Sequence, residues 1–151
     1  IKLSSMLPDD CVIIMIGLTK KQIETLPDNI IGIERTENQI QLAEYYSMAD
    51  VYVNPTYNDS FPTVNLEALA CGTPVITYKT GGSPESVTEG TGLVVNKGDV
   101  DNLLYAIETI RRNGKQHYSA ACRQRAVEFY NKDDKFREYI KLYNELVTKD
   151  R

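Results

Sequence analysis

The segment Asp50–Thr77, DVYVNPTYNDSFPTVNLEALACGTPVIT, decides how this chain folds. It opens with Asp50-Val-Tyr-Val53, a short strand-like run that Asn54-Pro55 brings to an end. A polar loop follows. Thr63 to Ala70 then reads as a helix, with Pro62 in its first turn and Gly72 just past its end, the positions these residues favour. Pro74-Val-Ile-Thr77 reads as the next strand. Strand, loop, helix and strand in succession is the unit of an α/β fold with a parallel sheet.

The same alternation extends in both directions. On the N-terminal side, Cys11-Val-Ile-Ile-Met-Ile16 is a continuous apolar run ending at Gly17, predicted as a strand buried on both faces. Lys20 to Leu26 is a short helix stopped by Pro27, Asn29 to Ile33 a second strand, and Asn38 to Met48 a helix. On the C-terminal side, Gly81-Gly-Ser-Pro84 is expected as a flexible turn into a short helical stretch. Thr91 to Val95 is the fifth strand. Only helices follow: Asp99 to Arg111, with Val100, Leu103, Leu104, Ile107 and Ile110 on one face, then Ser119 to Tyr130, then Lys132 to Val147. The predicted fold is α/β, a Rossmann-like parallel sheet flanked by helices, with extra C-terminal helices. All 151 residues read as one domain. Residues 1–7 resemble the end of a helix, and the chain does not begin with Met. The expectation is therefore a piece of a longer protein, lacking a preceding strand.

Composition excludes several classes of function. A net charge of −4 argues against a nucleic-acid surface. No apolar run is long enough for a membrane span. Cys11, Cys71 and Cys122 form no C-x-x-C pair, so neither a zinc site nor a disulfide framework is expected. Three reduced thiols fit a cytoplasmic protein. His117 is the single histidine, flanked by Lys115, Gln116 and Tyr118, and reads as a surface helix residue. Arg111, Arg112, Lys115, Arg123 and Arg125 cluster in sequence. They read as a solvated helix face or, more sharply, as a peripheral contact with anionic lipid at the inner face of a membrane.

Chemistry is expected at the strand ends. In open parallel sheets ligands bind outside the carboxyl ends of the strands. The free amides of a helix's first turn carry partial positive charge and suit a phosphate. Here Thr63 and Val64 are the candidate donors, because Pro62 has no N–H, and the Thr63 hydroxyl can add a bond. Glu67 follows one turn later on the same face, where a carboxylate suits a neutral diol such as ribose. Asp59, in the loop before the helix, faces the sugar that the phosphates carry, or else caps and polarises the helix start. The second loop, Lys79 to Glu85, is expected on the same sheet edge, with Gly81 and Gly82 letting backbone amides approach a ligand. No G-x-G-x-x-G and no G-x-x-x-x-G-K-[ST] is present, and no carboxylate pair in a strand-end loop is set to hold a divalent metal.

These residues carry a resemblance. The stretch from Pro55 to Glu85 resembles the C-terminal domain of the retaining GT-B glycosyltransferases of family 4, the glycosyl transferases group 1. That family has two acidic residues separated by seven others, then E-A-x-A-x-G-x-P-V, then G-G-x-x-E. The matches are Asp59 and Glu67, Glu67 to Val75, and Gly81 to Glu85, followed by Thr91-Gly-Leu-Val-Val95 and Gly98-Asp99. The resemblance implies one half of a GT-B fold that binds a UDP- or GDP-sugar and needs no cofactor and no metal. It implies Glu67 on the ribose and the Thr63 and Val64 amides on the diphosphate. Asp59 and the Ser60-Phe61 backbone would face the donor sugar, with Asp59 as the catalytic residue. Gly32 to Arg35 would lie near the base, with Arg35 in contact. The variant with Phe-Pro after the first acid is similar to enzymes of surface-polysaccharide assembly, so the acceptor is expected to be a glycan or a lipid-linked acceptor, held by an N-terminal domain outside this chain. One departure is Asp59, where the family usually has Glu. The other is the absence of the family's early Arg and Lys for the phosphates, so this piece alone is expected to transfer nothing. Two other readings compete: a nucleotide-sugar epimerase domain, poorly served by one histidine, and a non-catalytic nucleotide-binding module.

Overall fold

The computed structural model describes residues 1–149. Its strands are β1 (Ile13–Ile16), β2 (Ile30–Ile33), β3 (Tyr52–Asn54), β4 (Val75–Tyr78) and β5 (Gly92–Val95). Its helices are α1 (Lys20–Ile23), α2 (Gln39–Met48), α3 (Thr63–Ala70), α4 (Val100–Asn113), α5 (Gln116–Tyr130) and α6 (Lys132–Lys149). Every predicted element is present, and the ends follow local chemistry. Thr19 and Gln22 form a capping box at α1. Asn38 caps α2 and Asp99 caps α4, each through a side-chain oxygen. Residues 4–6 form a 3-10 turn. Pro62 lies at the N-cap of α3 rather than inside its first turn.

All strand pairs are parallel, but they fall into two sheets. β1 pairs with β2, Ile13 opposite Ile30. Separately, β3, β4 and β5 form a sheet in that order, with Tyr52 opposite Val75 and Val75 opposite Gly92. The core sits on the second sheet. Every residue of β4 is buried, and Leu69 of α3, Leu103, Ile107 and Ile110 of α4, and Tyr118 and Cys122 of α5 pack with it. Leu69 is fully buried, which contributes about 1.5–3 kcal/mol from apolar transfer.

β1 departs from expectation. An uninterrupted apolar run predicted a strand covered on both faces, yet Val12, Met15 and Ile16 are exposed. β1 has a hydrogen-bonded neighbour on one edge only, and no core layer of the kind around β4 encloses it. The Gly81–Pro84 turn departs in the opposite sense. It runs into a 3-10 turn over Ser83–Ser86 whose serines are fully buried, so it is fixed rather than flexible.

Candidate functional site

The carboxyl ends of β3 and β4 open into two loops, 55–62 and 79–83, and α3 starts between them. Neighbouring parallel strands end on the same side of a sheet, so the loops must meet. The Gly82 N–H donates to the Ser60 carbonyl at 3.0 Å, and the Thr80 hydroxyl to the Thr56 carbonyl at 3.0 Å. The contact is close enough to need glycine. A Cβ at Gly81, where φ is +48°, would lie 1.9 Å from the Asp59 carbonyl oxygen, and one at Gly82 would lie 2.2 Å from that of Ser60. The two glycines thus let one loop approach the other. Their role as ligand-facing amides is narrowed accordingly, since the Gly82 amide is already engaged.

Beneath the loops lies a buried polar cluster. Asn65, on the first turn of α3, is fully buried. Its Nδ2 donates to the Ser86 hydroxyl at 3.0 Å and lies 3.4 Å from that of Ser83, while its Oδ1 accepts from Asn54 Nδ2 at 2.9 Å. The Ser83 and Thr77 hydroxyls are hydrogen-bonded at 2.6 Å, and the Thr77 hydroxyl donates to the Asn54 carbonyl. Buried polar side chains are stable only when so partnered, and every such atom among the described residues has a partner. The cluster ties α3 to both strand ends. Asn65 reads as an ordinary polar residue in sequence, and only its burial distinguishes it.

The start of α3 remains open. No side chain caps it. The Thr63 and Val64 N–H groups have no partner among the described residues, and Thr63 is exposed. The helix dipole and the free donors together make an anion-accepting end. Asp59 Oδ1 accepts from the Phe61 N–H at 3.0 Å, a turn within its own loop, which leaves Oδ2 uncommitted. Ser60 is exposed and Phe61 half-buried.

Glu67 is exposed on the same face of α3, one turn on. Its Oε2 accepts from the Tyr46 hydroxyl at 3.1 Å. Tyr46 is buried against Tyr52, edge to face at 5.3 Å between ring centres. Burial, then the neighbouring Tyr52 and Glu67, raises the Tyr46 phenol well above its ordinary range. Burial, then Glu67, pushes Tyr52 up to about 12. Tyr46 therefore stays a neutral donor that fixes one carboxylate oxygen of Glu67 and leaves the other open. Sequence reading did not single out Tyr46 for this, because the pairing spans 21 residues.

Two expected participants make no hydrogen bond to the α3 start among the described residues. Arg35 is exposed beyond the end of β2, in the sheet that shares no hydrogen bond with β3. The basic cluster is no single face. Arg111 pairs with Asp10, Lys115 reaches the Ser47 carbonyl, Arg123 the Ala70 carbonyl and Arg125 the carbonyls of Glu85 and Ser86. Helical spacing sends these side chains around the helices rather than along one side. His117 is exposed on α5. Among the described residues no cluster of three metal-ligating side chains exists, and no helix is long and apolar enough to cross a membrane.

Fold and site define a Rossmann-like α/β domain with an open helix N-terminus at the carboxyl edge of its sheet, the arrangement of one half of a GT-B glycosyltransferase. The chain belongs to the family of glycosyl transferases group 1, whose model matches residues 5–129. It is 31% identical over 141 residues to the D-inositol 3-phosphate glycosyltransferase of Mycobacterium sp. strain KMS, covering 85% of this chain and 31% of that protein. Sucrose-phosphate synthase from Thermosynechococcus elongatus is similar in structure, with a TM-score of 0.75 at 33% identity, over 84% of this chain and 32% of the synthase. HepE of Anabaena, solved in complex with UDP, shares the fold with a TM-score of 0.77 at 21% identity, over 95% of this chain and 43% of its own. The chain thus spans about a third of the length of the curated relatives it matches.

Proposed function

We propose that this chain is the donor-binding part of a retaining glycosyltransferase, and that its α3 start receives the diphosphate of a nucleotide sugar. The observation that carries this reading is the pairing of two free amides, at Thr63 and Val64, with a carboxylate one turn later that Tyr46 holds in place. An anion fits the first and a ribose diol the second. HepE, which shares the fold, is solved in complex with UDP, a ligand that carries both a diphosphate and a ribose. Asp59 and the Ser60-Phe61 backbone then lie toward the donor sugar, and Arg35 toward the base. The α3 dipole offsets charge on the leaving diphosphate, so no metal is called for. In the whole protein the sugar passes with retention to a glycan or lipid-linked acceptor held by residues outside this chain, as in surface-polysaccharide assembly in the cytoplasm. A peripheral contact with anionic lipid draws no support from the basic cluster, four of whose five members are committed to internal partners.

The test is titration of the chain with UDP and with GDP, followed by amide NMR shifts. Saturable shifts at Thr63–Glu67, with the 59–61 loop and Gly32–Arg35 responding, support the proposal. Shifts that leave out Thr63–Glu67, or none with either nucleotide up to millimolar concentration, overturn it. A non-catalytic module is the second reading, favoured by the internal bond of Asp59 to the Phe61 amide. It predicts that full-length D59N keeps every measurable property of the parent.

A further inference from the structure

The C-terminal turns of α5 carry a contact that the donor site as described does not use. Arg125 Nε donates to the Ser86 carbonyl at 2.8 Å, and its Nη2 to the Glu85 carbonyl at 2.6 Å. The Tyr130 hydroxyl donates to the same Glu85 carbonyl at 3.1 Å. These are end carbonyls of the 3-10 turn that follows Gly82, so the guanidinium fork closes them as a C-terminal cap would. The Tyr130 ring in turn lies against Phe61 at 5.9 Å, and Arg125 stacks over Phe129 and Tyr130. One pair of residues therefore holds both loops, 79–86 through its carbonyls and 59–61 through a ring.

The pair is itself fixed. Tyr118, Cys122 and Ala126 bury the other face of α5 against the core. Gly82 bonds Ser60, so a shift of residues 85–86 is passed to the backbone beside Asp59. We infer that Arg125 is a positioning residue, which with Tyr130 sets where the Asp59–Phe61 backbone stands relative to the start of α3. This rests on the donor-binding reading above and extends it to the sugar end of the site. Arginine is required because two carbonyls in fixed relation must be met by one planar fork, a geometry that lysine lacks.

The experiment uses the full-length protein with R125K, and with Y130F as the milder variant that removes one hydroxyl. Amide hydrogen exchange at Gly82 and Phe61 is expected to quicken about tenfold or more in R125K and less in Y130F, while the Asn65 amide and the melting temperature stay unchanged. With UDP-glucose and UDP as probes, R125K is expected to lose about tenfold in affinity for the first and less than threefold for the second. Unchanged exchange at Gly82 and Phe61 overturns the inference, as does an equal loss for both probes. If R125K fails to fold, the Y130F exchange rates decide in the same way. A parent protein that binds neither probe, nor GDP, overturns the donor reading instead, and the exchange rates still decide whether the pair holds the loops.

Discussion

Glu67 and Asn65 are two positions apart on one helical turn and do opposite work. Glu67 is exposed and held by a single phenol. Y46F should leave the fold intact and weaken UDP binding several-fold, because a hydrogen bond to a charged group is worth about 1.5–3 kcal/mol and only part of it bears on binding. Isothermal titration of Y46F against the parent measures this, and an unchanged Kd would remove Tyr46 from the site. Asn65 is buried with partners on three sides. N65A leaves the Asn54 amide without its partner and the Ser86 hydroxyl with the Ser83 carbonyl alone, at a cost of about 1–3 kcal/mol, read as a lower urea midpoint. The phenols add a dependence on pH. A Tyr whose folded pKa is raised stabilises the fold fully below its unfolded value near 10, and that contribution is lost as pH rises toward the folded value. For Tyr52 the window closes at about 12. Urea midpoints of the parent should therefore fall between pH 10 and 12, and fall less in Y52F. The placement of Glu67, Thr63 and Val64 on the first turns of α3 was legible because it depends on spacing along one helix. The contacts of Tyr46, Asn65 and Arg125 were not, since each depends on a partner at least eleven residues away.

α3 shows what an element contributes beyond its residues. Its N-terminal amides point out of the sheet edge because β3 and β4 are parallel and the helix returns between them. Proline at position 63 tests this directly. Proline is well tolerated at the first helical position, and Pro62 already has the extended ψ of 109° that a following proline favours. T63P deletes one N–H and one hydroxyl without disturbing the helix. We expect a melting temperature within a few degrees of the parent and UDP affinity reduced about fivefold or more, in keeping with about 1 kcal/mol or more for a hydrogen bond to a charged group. Elements themselves were legible throughout. Periodicity located α2, α4 and α6, Pro62 and Gly72 bracketed α3, and the caps at Asn38 and Asp99 lie where polar residues precede apolar runs. What sequence could not supply was the environment of β1, since an apolar run specifies a wish for burial and not its fulfilment.

At the scale of the molecule, α6 presents Phe136, Tyr139, Ile140, Tyr143, Leu146 and Val147 to solvent. Exposed apolar groups on this scale promote association. The 151-residue chain is expected to self-associate at high micromolar concentration, and I140E with Y143E to shift it toward monomer in sedimentation velocity, with no loss of UDP binding. Equal sedimentation of both forms would show that α6 drives no association.

The division of the strands into two sheets has a further consequence for cooperativity. β1 and β2 share no backbone hydrogen bond with β3, β4 and β5 among the described residues. Their ties to the rest include Asn29 on the carbonyl of buried Ser4 and the exposed pair of Asp10 with Arg111. Such a unit can open by itself, below the free energy of global unfolding. Native-state exchange on the 151-residue chain by itself should therefore give two stability plateaus, the lower one covering Ile13–Ile33. The Thr63–Glu67 turn, built on the other sheet, would remain in place while that first unit comes and goes.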